Sequence, residues 1–114
     1  MVDLTFLKEF TGGNHKKMIR YINLYLENTP ASFDQMQRNI DNQDWSRLAI
    51  NAHSLKPQAE FKGIKSLKDI LADLENCARQ GKVEHVESLF KNARQQQKES
   101  EKHLFQFLES LDRT

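Results

Sequence analysis

Ile64, Leu67, Leu71, Leu74 and Ala78 recur at spacings of three and four residues, and no segment of the chain alternates apolar with polar side chains. The first pattern lines one side of a helix; the second, which a half-buried strand requires, is missing. Trp45, Leu48, Ala52, Leu55 and Ala59 draw another stripe of the helical kind. Four glycines and two prolines are the strong breakers, and they fall where helices stop or start. Asp3 caps a short first helix carrying Leu4, Phe6, Leu7 and Phe10, which Gly12-Gly13 ends. Asn14 caps a second that runs to about Glu27, with Met18, Ile19, Ile22, Tyr25 and Leu26 inward. Thr29-Pro30 reads as a restart, a capping hydroxyl followed by proline at the first helical position. The third helix carries Phe33, Met36 and Ile40. Asp44, at the end of a polar turn, caps the helix of the Trp45 stripe, which Gly63 separates from the helix ending at Gly81. A last helix starts near Val83 and reaches Leu111, although residues 95–102 are polar on nearly every side, so only part of it can face a core. The expected fold is all-α, an antiparallel four-helix bundle with an additional short N-terminal helix or helices, occupying residues 1–114 as one domain.

Such a chain can bury one modest core but not a deep cavity between domains. Seventeen basic and sixteen acidic residues nearly cancel, so bulk charge does not mark a nucleic-acid binder. The aromatic spacing offers no platform for stacking bases. Cys77 is the single cysteine, which excludes an intrachain disulfide and a multi-cysteine zinc site and suits a reducing compartment. No apolar run approaches the roughly 20 residues of a membrane span. A cytoplasmic setting without direct membrane contact is expected, and a monomer, since the bundle needs no partner helix.

His53 is where chemistry enters. At about 100° per residue it falls well off the buried stripe of its helix, so packing does not call for it. Ile50 and Pro57 lie on the same side, one turn before and after, flanked by Ala49 and Lys56. This exposed apolar strip around a histidine suits docking by another protein, because a convex helix surface has no pocket walls. Pro57 removes an N–H from the carbonyl of His53 and crowds it. Because Leu55 and Ala59 keep their spacing across the proline, a bent helix continuing to about Glu60 is expected. If the chain reverses at Lys62-Gly63, Glu75 faces His53 from the next helix. A carboxylate there accepts a hydrogen bond from Nδ1–H and leaves Nε2 as the free lone pair. With Lys56 one turn away, the group is a nucleophilic imidazole prepared for an anionic electrophile such as a phosphoryl group. His15, His85 and His103 have no comparable neighbourhood and read as surface or cap residues. Cys77 reads as a small, partly buried filler.

These residues resemble the signature of histidine-containing phosphotransfer (HPt) domains of two-component phosphorelays: His53, then Leu55, Lys56 and Gly63. The resemblance runs from Asp3 through Thr11-Gly12-Gly13-Asn14 to Leu74-Glu75 and Arg79. Glu75 matches the position of a Glu or Gln that hydrogen-bonds the histidine, and Arg79 one that is basic in some members. Pro57 and Gln58 depart from the pattern, since many members carry glycine and a small residue there, a difference that bears on partner choice.

The resemblance implies a phosphoryl carrier without ATP-dependent kinase activity, and no nucleotide-binding glycine motif occurs in the chain. His53 is the implied phosphoacceptor, Lys56 the charge partner of the phosphate, and Glu75 the residue that orients the ring. Ala49, Ile50, Pro57, Gln58, Gly63 and Arg79 are the implied docking residues. The implied partners are response-regulator receiver domains, with a hybrid sensor histidine kinase as a further one. No cofactor is expected on this domain; Mg²⁺ is expected on the receiver. The competing reading is a helical docking module whose histidine is never phosphorylated. A metal or hydrolase site is disfavoured because His53 and Glu75 are too few ligands.

Overall fold

The computed structural model describes residues 2–112. Five α-helices follow one another: α1 (Thr5–Phe10), α2 (His15–Asp41), α3 (Trp45–Phe61), α4 (Lys65–Gln80) and α5 (Val86–Asp112), with a 3₁₀ turn at Val83–His85 leading into the last. No strand occurs among the described residues. The four long helices close a ring, α2 on α3, α3 on α4, α4 on α5 and α5 back on α2. The result is a rod 48 Å long and about 20 Å across.

The expected restart at Thr29-Pro30 does not occur, and the two helices read there are one, with Pro30 inside α2. The buried face runs through Met18, Ile22, Tyr25, Thr29, Phe33, Met36 and Ile40, an unbroken three-and-four rhythm in which Thr29 holds a core position. A buried threonine serves there because its hydroxyl donates to the Tyr25 carbonyl one turn back. The hydrogen bond lost at Pro30 is therefore outweighed by packing along the whole stripe. This merger makes the architecture a four-helix bundle preceded by one short helix. Helix α3 likewise passes through Pro57 and ends at Phe61.

Asn14 and Asp44 are the N-caps of α2 and α3, whereas the N-cap of α1 is Leu4, so Asp3 stands one residue ahead of the expected capping position. The Asp3 carboxylate accepts from the Thr5 N–H, Asn14 from the Lys17 N–H and Asp44 from the Arg47 N–H. The polar stretch of α5 also faces the core more than its composition suggests: Gln97 and Ser100 are buried in line with Ala93 and Leu104. Gln97 accepts a hydrogen bond from the Tyr25 hydroxyl, and Ser100 donates to the Gln97 carbonyl, so the polar positions are satisfied inside the bundle.

The turn between α3 and α4 is closely packed against the N-terminal segment. Gly63 has φ +71°, and the Ile64 N–H reaches back to the Ala59 carbonyl at 2.9 Å. The Asp3 N–H donates to the Gly63 carbonyl at 2.8 Å, pinning the N-terminal segment to this turn.

Candidate functional site

Leu48, Ala52, Leu55 and Ala59 are buried, which fixes the rotation of α3 and turns His53 outward with 61 % of its side chain exposed. On α4 the buried series Leu67, Leu71, Leu74 and Ala78 sets Glu75 at the edge of the interface, where it is only 7 % exposed. The antiparallel pair then brings His53 and Glu75 together. His53 Nδ1 lies 3.1 Å from each oxygen of the Glu75 carboxylate. With the carboxylate ionised, Nδ1 is the donor and Nε2 carries the free lone pair on the solvent side.

Two cations complete the cluster. Lys56 Nζ is 2.8 Å from Glu75 Oε1, and Arg79 Nε donates to Oε2 at 2.9 Å. Lys56, read from sequence as a charge partner for phosphate, thus stands first on the carboxylate that holds the histidine. Burial pushes the Glu75 carboxyl up, but hydrogen bonds from Lys56, Arg79 and His53 outweigh it and hold the group at about 2. The carboxylate is therefore charged at any physiological pH. Two cations against one anion leave the cluster with a net +1 charge directly beneath the imidazole, a field that favours an incoming anionic oxygen.

This arrangement predicts the behaviour of Glu75→Gln. An unfolded glutamate titrates near 4.5, whereas Glu75 in the fold titrates near 2. Between those values the unfolded chain binds a proton that the native chain does not, so stability is full above about pH 4.5 and falls as pH drops toward 2. Urea unfolding at pH 3 and pH 6 should show a smaller difference between the two pH values for Glu75→Gln than for the wild type. At pH 7 the variant should be destabilised by about 1–2 kcal/mol, because two cations lose their counter-charge.

The other sequence-read residues divide. Ile50 is 57 % exposed, and Pro57, Gln58 and Arg79 are also on the surface, so the strip around His53 exists. Ala49 is corrected: it is 1 % exposed, because α3 packs against both α2 and α4 and its buried stripe is wide enough to take in the residue beside Leu48. Gly63 lies ten residues from His53, about 15 Å along a helix axis, and is occupied with the turn and Asp3. Cys77 is half-buried, and His15, His85 and His103 are exposed. Among the described residues no group of three His, Cys, Asp or Glu is placed to hold a metal ion. No described helix is long and apolar enough to cross a membrane.

One residue escaped the sequence reading. Lys62, adjacent to the Gly63 turn, looks like a solvated lysine but is buried, and burial pushes its ammonium down to about 8. Only the three-residue step from Ala59, which continues the buried face of α3, hinted at this.

No curated protein and no solved structure gives a significant match to the chain. Residues 20–113 match the Hpt domain family, whose members are phosphotransfer modules of two-component signalling that interact with receiver domains and kinases. That span holds His53, Lys56, Glu75 and Arg79 together with α3, α4, α5 and all of α2 but its first five residues. The chain, with an exposed imidazole braced from the neighbouring helix, belongs to the Hpt domain family.

Proposed function

We propose that the chain is a phosphorelay intermediate that accepts a phosphoryl group on His53 from the phosphoaspartate of one receiver domain and passes it to another. The observation that carries this reading is the tethered ring: Nδ1 is held at 3.1 Å by Glu75 while the exposed edge presents Nε2. The Nε2 lone pair attacks phosphorus in line, and the bond between phosphorus and the aspartyl oxygen breaks, with its electron pair returning to the carboxylate. The imidazole gains positive charge as the new P–N bond forms. Glu75, already ionised and accepting from Nδ1–H, stabilises that charge without moving a proton. Lys56 and Arg79 keep the site net positive and so favour the transferring oxygens. Mg²⁺ held by the receiver, not by this chain, would neutralise the remaining charge. The strip of Ile50, Pro57 and Gln58 seats the receiver. Its apolar atoms are exposed where a convex surface must meet a concave partner.

The test is transfer from a panel of receivers charged with a small-molecule phosphodonor. The purified domain should acquire an acid-labile, base-stable phosphate from at least one of them and give it up to a second. A domain that binds a charged receiver yet never takes the label would instead be a docking module.

A further inference from the structure

Away from Glu75, on the side of α3 that meets α2, Lys62 is only 3 % exposed. Its Nζ lies 4.6 Å from the centre of the Phe61 ring and 5.3 Å from that of Tyr25. Among the described residues these two rings are its partners, and no carboxylate, carbonyl or hydroxyl pairs with the ammonium. Among the described residues no sealed side-chain nitrogen or oxygen lacks a hydrogen-bond partner, so Nζ, which has none, keeps contact with solvent while the rest of the side chain is buried against the two rings. Partial burial of the side chain lowers the titration of this lysine.

The same lysine lines a cleft of about 430 Å³ between α2 and α3. Tyr21, Leu24, Tyr25 and Leu55 give it apolar walls, and Asn28 and Gln58 add neutral amides. Clefts of this size, apolar with a few polar groups converging, take small organic molecules. A single cation matches one negative charge, and a dianion would bring an excess charge that neither amide can neutralise. A bare inorganic ion would leave the apolar walls unused.

We propose that this cleft binds a small organic monoanion, a carboxylate on a flat apolar body, with the carboxylate on Lys62 Nζ and the body between Tyr21, Leu24 and Leu55. The reading of His53 does not enter this argument. Gln58 belongs both to the cleft and to the strip beside His53, so an occupant abuts the surface proposed for docking.

The experiment is a two-dimensional NMR titration of the full chain with phenylacetate, its neutral analogue phenylacetamide, and the dianion phenylphosphonate. Phenylacetate should shift the amides of Asn28, Leu55 and Gln58 saturably, and phenylacetamide should bind at least about ten-fold more weakly. Lys62→Met should reduce phenylacetate affinity by a similar factor while keeping the bundle, because methionine suits the apolar setting better than an unpaired ammonium. Leu24→Trp, which fills the cleft from its exposed side with Lys62 intact, should abolish binding. The proposal is overturned if phenylacetate gives no saturable shifts, if Lys62→Met binds it as well as wild type, if Leu24→Trp still binds it, or if phenylphosphonate binds more tightly.

Discussion

His53→Gln is expected to abolish phosphoryl acceptance entirely while leaving the fold and receiver affinity almost unchanged. Complete loss is expected because the substitution removes the atom that would form the new bond, and a glutamine amide is not a nucleophile under these conditions; among the described residues Glu75, the partner of His53, is the buried carboxylate. The structure survives for a separate reason. The His53 side chain is mostly outside the core, and a glutamine at 53 can still donate to Glu75, so the α3–α4 contact keeps a hydrogen bond there. The expected change in unfolding free energy is below about 1 kcal/mol. Transfer of label from a charged receiver, read beside the affinity of the same receiver for the variant, separates the two effects. Label on the variant would show that another residue carries the phosphoryl group.

Gly63→Ala is expected to cost far more stability than the same substitution at Gly12, Gly13 or Gly81, where an added Cβ meets nothing within 4 Å. A Cβ at Gly63 would lie 1.5 Å from the Asp3 carbonyl oxygen and 2.3 Å from its carbon, and both are backbone atoms with no rotamer to change. The positive φ adds a penalty of about 1–2 kcal/mol for an L-residue. Relief requires the N-terminal segment to leave the turn, which breaks the Asp3–Gly63 hydrogen bond and disturbs the seat of α1 with its fully buried Leu7. The total should reach about 3–5 kcal/mol, or a fall in Tm of about 12 °C or more at about 4 °C per kcal/mol, measurable by thermal unfolding. Truncating residues 1–4 should rescue much of the steric part, since it removes the atoms that collide.

The contrast between these residues explains what could be read beforehand. Periodicity fixed the helices of the bundle because each long one buries a single stripe, and the same periodicity turned His53 outward. Glu75 was reachable because an antiparallel hairpin converts sequence distance from the turn into spatial opposition. The merger of two expected helices was missed at Thr29-Pro30, where local capping chemistry and the core stripe disagreed and the stripe prevailed. Its signal was present: Tyr25, Thr29 and Phe33 keep step if a threonine is allowed into the core. Polar residues that satisfy one another inside were hidden in the same way, as with Tyr25 and Gln97, which lie 72 residues apart and meet only in the folded bundle. Ala49 shows the opposite limit, for a small side chain carries too little polarity contrast to reveal which edge of a stripe it occupies. The role of Gly63 was legible as a turn, but its partner Asp3 was not, since nothing in local spacing ties the N-terminal segment to that carbonyl.

A histidine presented on one convex face has a kinetic consequence. In the proposed relay, donor and acceptor would have to visit the same few side chains, so a complex holding both at once would be sterically closed, and the phosphoryl group would wait on the domain between two encounters. Throughput would then be governed by how quickly the first partner departs. A tighter grip on the donor would then slow the relay instead of speeding it, and the two receivers, without meeting, would inhibit each other by competing for a single seat.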